Sequence, residues 1–221
     1  MSLTLPNILT ILRLLCAPGI VVAFLVVPRP MADWIAVVLF LGASLTDWVD
    51  GYLARAWRQE TKLGAMLDPI ADKAIVLSAL LALAAIWQPV TLILLPATLI
   101  IFREIFVSGL REFLGDTAGT LKVTRLAKWK TTVQMVAITV LLARGIVEHG
   151  LIERAVGLDA ALYEAILTGA EEDVLGLRWR ARALGALEVG GVALLWGAAV
   201  LTMVTGYDYF RKATPHLTGA K

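Results

Sequence analysis

Apolar residues along this chain come in long runs, and most polar positions fall between those runs. At about 20 residues per bilayer crossing, the pattern predicts six transmembrane helices, near residues 10–27, 33–55, 65–86, 89–110, 130–145 and 186–206. The first run is expected to begin as an interfacial segment over residues 3–15 and to turn at Pro18. We therefore predict an all-α integral membrane protein with a single membrane-embedded domain over residues 1–221.

Composition supports this class of protein and excludes several others. Hydrophobic residues make up 59% of the chain and the mean hydropathy is +0.79, well above the values of ordinary soluble domains. A formal net charge of only +2 argues against a nucleic-acid partner. The chain has two histidines and one cysteine, which are too few for a histidine-rich metal site and argue against a hydrolase triad.

The basic residues indicate an orientation. If the N-terminus is cytoplasmic, most of the 20 lysines and arginines fall on the cytoplasmic side of the predicted spans, as the positive-inside rule requires. Both termini are then expected in the cytoplasm. Residues 146–185 become a long external connection, and the apolar spacing of Leu158, Leu162, Ile166 and Leu167 suits an interfacial helix there.

Four aspartates interrupt the second and third predicted helices: Asp47 and Asp50 on one, Asp68 and Asp72 on the other. Helical spacing places each pair on one face. A turn of about eight residues joins the two helices, so they are expected to be antiparallel neighbours with opposed acidic faces. Four facing carboxylates need cations between them. Two Mg²⁺ or Mn²⁺ ions would meet that need, because both prefer carboxylate oxygens and can clamp a phosphoryl group.

Neighbouring residues point toward a phosphorylated ligand. Gly51 and Gly64 each lie about one turn from an acidic position, where a missing Cβ lets a ligand approach the backbone. Arg55 is one turn beyond Gly51, where a guanidinium can hold phosphate oxygens in a bidentate manner. The alternative is that the acids form only interfacial ion pairs with nearby basic residues, namely Arg55, Arg58, Lys62 and Lys73.

These residues resemble the CDP-alcohol phosphotransferase family, whose signature is D-x-x-D-G-x-x-A-R-x(8)-G-x-x-x-D-x-x-x-D. All eight fixed positions are present: Asp47, Asp50, Gly51, Ala54, Arg55, Gly64, Asp68 and Asp72. The resemblance implies the six-helix fold of that family, usually as a homodimer, with a cavity open to the cytoplasm and inner leaflet. It also implies that the aspartates hold two metals over the diphosphate of a CDP-lipid, and that Asp72 deprotonates the acceptor hydroxyl.

A second set of charged residues bears on the acceptor alcohol. Arg103 and Arg111 share one helical stripe, and Lys128 and Lys130 belong to a basic cluster that follows it. Such a cluster suits an acceptor that carries a phosphate. Positive-inside bias and anionic lipid headgroups account for the same charges equally well.

Three further segments bear on whether the basic residues bind an acceptor phosphate. The segments "REIFVSGLREF", "KWKTTVQM" and "PNILTILR" resemble bacterial members of the family whose acceptor is glycerol 3-phosphate. This resemblance implies transfer of a phosphatidyl group from CDP-diacylglycerol to sn-glycerol 3-phosphate in the bacterial inner membrane, with an active site facing the cytoplasm. It makes Arg103, Arg111, Lys128 and Lys130 the candidates for the acceptor phosphate.

Asn7, Thr10 and Arg13 recur every third residue and share a helix face. The family resemblance favours a role for all three beside the nucleotide or headgroup. The alternative is an interfacial helix that shows its polar side to water.

Two rival functions stay open from the sequence. The same chemistry with serine, inositol phosphate or phosphatidylglycerol as acceptor would use the same aspartates. A divalent-cation carrier would also use intramembrane carboxylates, but its acids should follow a path through the membrane, whereas these cluster at one depth.

Overall fold

A computed structural model of the chain describes residues 4–56, 61–120 and 125–217, with side chains except at 48–56, 116, 118, 120 and 125–128. The described part contains helices and no strand. The α-helices are α1 Leu5–Val26, α2 Met31–Ala56, α3 Lys62–Ile86, α4 Thr91–Leu114, α5 Arg125–Ala155, α6 Ala160–Thr168 and α7 Leu177–Leu217. A 3₁₀ helix, Gly115–Thr120, follows α4.

The prediction of an all-α membrane protein is confirmed. Within the described residues, five helices are long and apolar enough to cross a membrane: α1, α3, α4, α5 and α7. Helix α2 has 26 residues, enough to span a bilayer about 30 Å thick, but part of it lies outside the described side chains. The count of six crossings therefore stays a prediction.

Two of the predicted boundaries are wrong. Helix α1 continues through Pro18 without the expected turn, with Ala17 and Ile20 buried on either side of the proline. Residues 146–185 are not one long connection, because α5 runs on to Ala155 and α7 already begins at Leu177. The charged residues at the end of α5 and the start of α7 suggest a loop from the sequence, but Arg, Glu, Leu and Ala are good helix formers.

The segment that remains between α5 and α7 is short and partly helical. The carboxylate of Asp173 accepts hydrogen bonds from the backbone N–H groups of Leu177 (2.7 Å) and Arg178 (2.9 Å), so it satisfies donors that the start of α7 would leave free. Helix α6 packs Ile166 against Leu151 and Leu177. The predicted helix of this segment therefore exists and turns its apolar side toward the ends of α5 and α7.

The bundle carries small residues inside and large apolar residues outside. Alanines on five different helices are fully buried: Ala36, Ala71, Ala79, Ala97, Ala137, Ala198 and Ala199. Large side chains such as Leu25, Val38 and Ile105 are exposed. Close approach of helices through small residues, with large apolar groups turned outward, is typical of packing in lipid.

Helix α1 positions the acidic residues because it packs along both α2 and α3, which touch each other over a shorter stretch. Its first half therefore reaches the end of the bundle where α2 finishes and α3 begins. The far end of α1 leads to Arg29, whose guanidinium binds the buried Asp33 of α2 through two hydrogen bonds of 2.8 and 2.9 Å. Arg29 also lies 3.5 Å from Glu148 of α5, so these charges link the turn between α1 and α2 to α5.

The close contact between α5 and α7 gives a test of this packing. A Cβ added at Gly191 would lie 2.7 Å from Cδ2 of Leu141, whereas one added at the adjacent Gly190 would meet nothing within 4 Å. We expect Gly191→Ala to lower the free energy of unfolding by about 1–3 kcal/mol. Gly190→Ala should be neutral or stabilise by up to about 1 kcal/mol through helix propensity. Thermal unfolding in detergent compares the two, and equal effects would contradict the packing described.

Candidate active site

Three of the four predicted aspartates converge on one arginine. Nη1 of Arg13 donates to Oδ1 of Asp47 and to Oδ1 of Asp72, and Nη2 lies 4.0 Å from Oδ1 of Asp68. Asp47 comes from α2, and the other two carboxylates come from successive turns of α3. The cation that the sequence required between the acids is, within the described residues, a guanidinium supplied by α1.

The burial of these groups is unequal. The Arg13 side chain is 1% exposed, whereas the side chains of Asp47, Asp68 and Asp72 are 49%, 48% and 52% exposed. The guanidinium therefore approaches the carboxylates from the buried side of the bundle. The carboxylates keep part of their surface open to a ligand.

The polar face of α1 belongs to the same site. Oγ1 of Thr10 donates to Oδ1 of Asp68 at 2.8 Å, and Oδ1 of Asn7 accepts from Oγ1 of Thr61 at 2.8 Å. Thr61 in turn accepts from the backbone N–H of Gly64 at 3.0 Å and caps α3. Asn7 and Thr10 are each 2% exposed, so the alternative of a polar face turned to water is wrong.

Gly64 fits closely against this face. A Cβ at this position would lie 2.9 Å from Oδ1 of Asn7, so a larger residue would push the start of α3 away from α1. The amide nitrogen Nδ2 of Asn7 is buried and has no hydrogen-bond partner in the described part of the chain. A buried donor of this kind is costly unless a ligand accepts from it.

Several predicted residues are placed only by their helices. Asp50, Gly51, Ala54 and Arg55 continue α2, and Lys128 lies in the first turn of α5, but their side chains fall outside the described residues. Their roles stay predictions.

A cavity of about 550 Å³ joins Asp72 to the predicted acceptor cluster. Its walls come from α3, α4 and α5 and include Arg103, Arg111 and Lys130. Asp72, from the acidic set, and these three basic residues therefore line one space, although the sequence separates Asp72 from Arg103 by about 30 positions.

Arg103, Arg111 and Lys130 form the basic wall of the cavity. This wall also contains an acid that the sequence analysis did not identify. Glu104 lines the cavity and accepts from Nζ of Lys130 and, at 3.2 Å, from Nη1 of Arg103. Lys130 is almost fully buried, and a buried ammonium needs such a partner. An acid directly after Arg103 in an apolar helix was the signal present in the sequence.

Helix α7 supports the same wall from behind. A Cβ at Gly206 would lie 2.7 Å from Cγ of Arg103, so the arginine stem packs against the bare backbone of α7. The guanidinium of Arg111 lies over the Tyr209 ring, 5.2 Å from its centroid, in cation–π geometry. Both arginines are thus oriented before a ligand arrives.

Arg13 lies with Asn7 and Thr10 on the face of α1 that their three-residue spacing predicts. The family resemblance favours contact of this face with the nucleotide or headgroup, whereas the contact that the structure shows for Arg13 is with the aspartates. Only the packing of α1 against α2 and α3 brings it to the acids.

The acidic site has the donor chemistry of a divalent metal site. Asp47, Asp68 and Asp72 offer hard carboxylate oxygens with open faces, which fit Mg²⁺ or Mn²⁺. In the described part of the chain, no group of three or more acidic, histidine or cysteine side chains has the arrangement of a finished metal site. The fourth predicted ligand, Asp50, lies outside the described side chains.

The family signature, the helical bundle and the cavity beside Asp72 define a class of protein, and comparison with known sequences agrees. A family model described as CDP-alcohol phosphatidyltransferase matches residues 3–168. The chain belongs to this family of membrane enzymes.

Three similar proteins carry the same name. The chain is 51% identical to the CDP-diacylglycerol–glycerol-3-phosphate 3-phosphatidyltransferase of Cereibacter sphaeroides over 223 aligned residues, with 100% of each chain covered. It is 35% identical to the protein of that name from Rickettsia felis, over 94% of this chain and 93% of the relative. It is 42% identical to the Haemophilus influenzae protein of that name, over 65% and 78% respectively.

Proposed function

We propose that this chain transfers the phosphatidyl group of CDP-diacylglycerol to sn-glycerol 3-phosphate, giving phosphatidylglycerophosphate and CMP for phospholipid biosynthesis. The relatives named above support this activity. The observation in the structure that carries it is the single cavity that runs from Asp72 to Arg103, Arg111 and Lys130.

The charge of the cavity suits a phosphorylated acceptor. Its ionisable lining residues are four basic and two acidic side chains: Asp72, Lys73, Arg103, Glu104, Arg111 and Lys130. A phosphate monoester carries a charge of about −1.5 to −2 near pH 7, which offsets this basic surplus. A neutral or zwitterionic alcohol such as serine would leave the surplus uncompensated.

In the proposed reaction, the basic wall, extended by Lys128, holds the acceptor phosphate, and the primary hydroxyl of glycerol 3-phosphate points toward Asp72. The Asp72 carboxylate takes the hydroxyl proton while the oxygen bonds to the lipid-linked phosphorus. The bond from that phosphorus to the CMP oxygen breaks, and CMP leaves. Positioning within one cavity supplies much of the rate enhancement.

The CDP-lipid would lie on the α1 side of Asp72. Asn7 and Thr10 form a buried polar face there, and the free amide donor of Asn7 can serve the nucleotide or its phosphates. Gly51, Ala54, Arg55 and Gly64 complete the proposed diphosphate site: the three small residues give access to the helix backbones, and Arg55 holds phosphate oxygens.

The proposal includes a divalent-metal requirement. Two ions, Mg²⁺ or Mn²⁺, held by Asp47, Asp50, Asp68 and Asp72 would neutralise the diphosphate and the charge that develops on it. The clustering of these acids at one end of the bundle, rather than along a path through it, supports an enzyme over a cation carrier.

The setting proposed for this activity is the bacterial inner membrane, with both termini and the cavity facing the cytoplasm and with the chain as a homodimer. The distribution of basic residues supports the orientation, and the resemblance to the family supports the dimer.

The acceptor is tested most simply with purified protein, CDP-diacylglycerol and Mg²⁺. Glycerol 3-phosphate, serine, inositol phosphate and phosphatidylglycerol are supplied separately and CMP release is measured. We expect turnover with glycerol 3-phosphate alone, because serine lacks the phosphate that the basic wall beside Asp72 would bind, and the names of the relatives favour glycerol 3-phosphate over inositol phosphate. Comparable turnover with serine, inositol phosphate or phosphatidylglycerol would overturn the assignment.

The basic wall is tested by Arg111→Glu and Lys128→Glu. Loss of a charge-assisted contact and introduction of repulsion should raise the KM for glycerol 3-phosphate at least about tenfold, with a much smaller change for CDP-diacylglycerol. Arg182→Glu, on an exposed position of α7, is the matched control and should alter neither constant. Equal effects on the two substrates would remove these residues from the acceptor site.

The role of Asp72 is tested by Asp72→Asn, which keeps the shape of the side chain but not its basicity. CMP release should fall about 10²- to 10⁴-fold, the usual contribution of a general base, while the protein still folds and binds Mn²⁺. Removal of divalent ions from the wild type with EDTA should stop turnover until Mg²⁺ or Mn²⁺ is restored. A folded, metal-binding Asp72→Asn variant with the wild-type rate would show that Asp72 is not the base.

A further inference from the structure

Arg13 already supplies a positive charge where the carboxylates need one. A single guanidinium nitrogen serves both Asp47 and Asp72, one from α2 and one from α3, and the same side chain approaches Asp68. Arg13 therefore links three helices through the groups proposed to hold metal.

Arg13 is held in place by its burial as well as by the acids. Its side chain is 1% exposed, and in the preceding turn of α1 the Thr10 hydroxyl lies within hydrogen-bond distance of both Oδ1 of Asp68 and the carbonyl oxygen of Pro6. Withdrawing the guanidinium into lipid would be very costly. The charge therefore stays beside the carboxylates when their other partners change.

A divalent ion that binds these carboxylates meets an existing positive charge. The Oδ1 atoms of Asp47 and Asp72 that accept from Arg13 belong to the proposed metal ligands, and two cations a few ångströms apart repel each other, the more strongly as the site is less hydrated. Arg13 thus stabilises the carboxylates most when no metal is present.

We propose that Arg13 is a built-in counter-cation: it keeps the acidic site assembled in the metal-free protein and weakens metal binding by competing for the same carboxylates. This inference rests on the metal requirement in the proposed function. It assigns to α1 a role in setting how tightly the site holds metal.

Thermodynamic linkage gives the proposal a definite sign. A contact that stabilises the metal-free state more than the metal-bound state must weaken metal binding, by the difference between those two stabilisation free energies. Removing Arg13 should therefore destabilise the metal-free protein and tighten metal binding. If Arg13 were purely structural, its removal would lower the stability of the protein and added metal would not restore it. If Arg13 only oriented the carboxylates, its removal would weaken metal binding.

The test uses the full chain in detergent, with thermal unfolding in EDTA and in saturating Mn²⁺, and with Mn²⁺ affinity measured by electron paramagnetic resonance. For Arg13→Gln we expect a midpoint at least about 5 °C below wild type in EDTA, with most of that difference absent in Mn²⁺. The Kd for Mn²⁺ should fall about tenfold. Arg13→Lys, which keeps a charge but loses the planar fork, should shift both quantities in the same direction by less.

Arg29→Gln is the control because it also removes an arginine that binds an aspartate, Asp33, but at the far end of the α1–α2 hairpin, away from the predicted metal ligands. Its midpoint should fall equally in EDTA and in Mn²⁺, with an unchanged Kd.

An unchanged or weaker Mn²⁺ affinity in both Arg13 variants, or a loss of stability that Mn²⁺ does not restore, would overturn the proposal. So would absence of Mn²⁺ binding by the wild type. The last result would also remove the metal requirement from the proposed function. None of the three touches the choice of substrates, which CMP release from the wild type decides separately.

Discussion

Carboxylates within membrane-embedded helices require a cation, and the rest of the acidic site follows from that requirement. Separate intramembrane charges cost several kcal/mol each, so the helices must bring opposite charges together. Arg13 of α1 meets Asp47 of α2 and Asp72 of α3. Helix α1 consequently packs along both neighbours, and its polar residues are buried at the end where a substrate would enter.

The same rule organises the other charged positions. Glu104 pairs with Arg103 and Lys130 in the cavity wall, and Arg29 pairs with Asp33 at the opposite end of the bundle. Of these pairs, Glu104–Lys130 links α4 to α5, and Arg29 also lies 3.5 Å from Glu148 of α5. At the cavity they also leave a surplus of positive charge beside Asp72, which suits the phosphorylated acceptor proposed for this enzyme.

The sequence predicted most of the helices because apolar runs of this length are typical of membrane-spanning helices and rare in soluble domains. It also predicted that Asp47, Asp68 and Asp72 would meet, since their spacing allowed one face per helix. It could not show that α1 would contact both α2 and α3, because helix neighbours depend on side-chain fit between distant segments. The contact of Arg13 with the aspartates was therefore missed, although its helix face was predicted. Glu104 was missed because its partner Lys130 lies 26 residues away on another helix.

Helix ends were the least predictable feature. Charged residues beyond residue 145 suggested a loop, yet α5 continues to Ala155, and Asp173 caps an α7 that begins well before its most apolar stretch. Pro18 suggested a turn, but burial of its neighbours on α1 keeps the helix continuous. In each case, contacts of individual residues kept the helix going where the residue types of the segment suggested a turn or a loop.

The central claim is that the carboxylates around Arg13 hold a metal ion against the diphosphate of the CDP-lipid. The most direct measurement is the ³¹P hyperfine coupling of Mn²⁺ bound to the wild-type protein, by electron–nuclear double resonance. Adding CDP-diacylglycerol should produce a strong ³¹P coupling that Asp68→Asn greatly reduces. Absence of that coupling, with both Mn²⁺ and the CDP-lipid shown to be bound, would contradict the account.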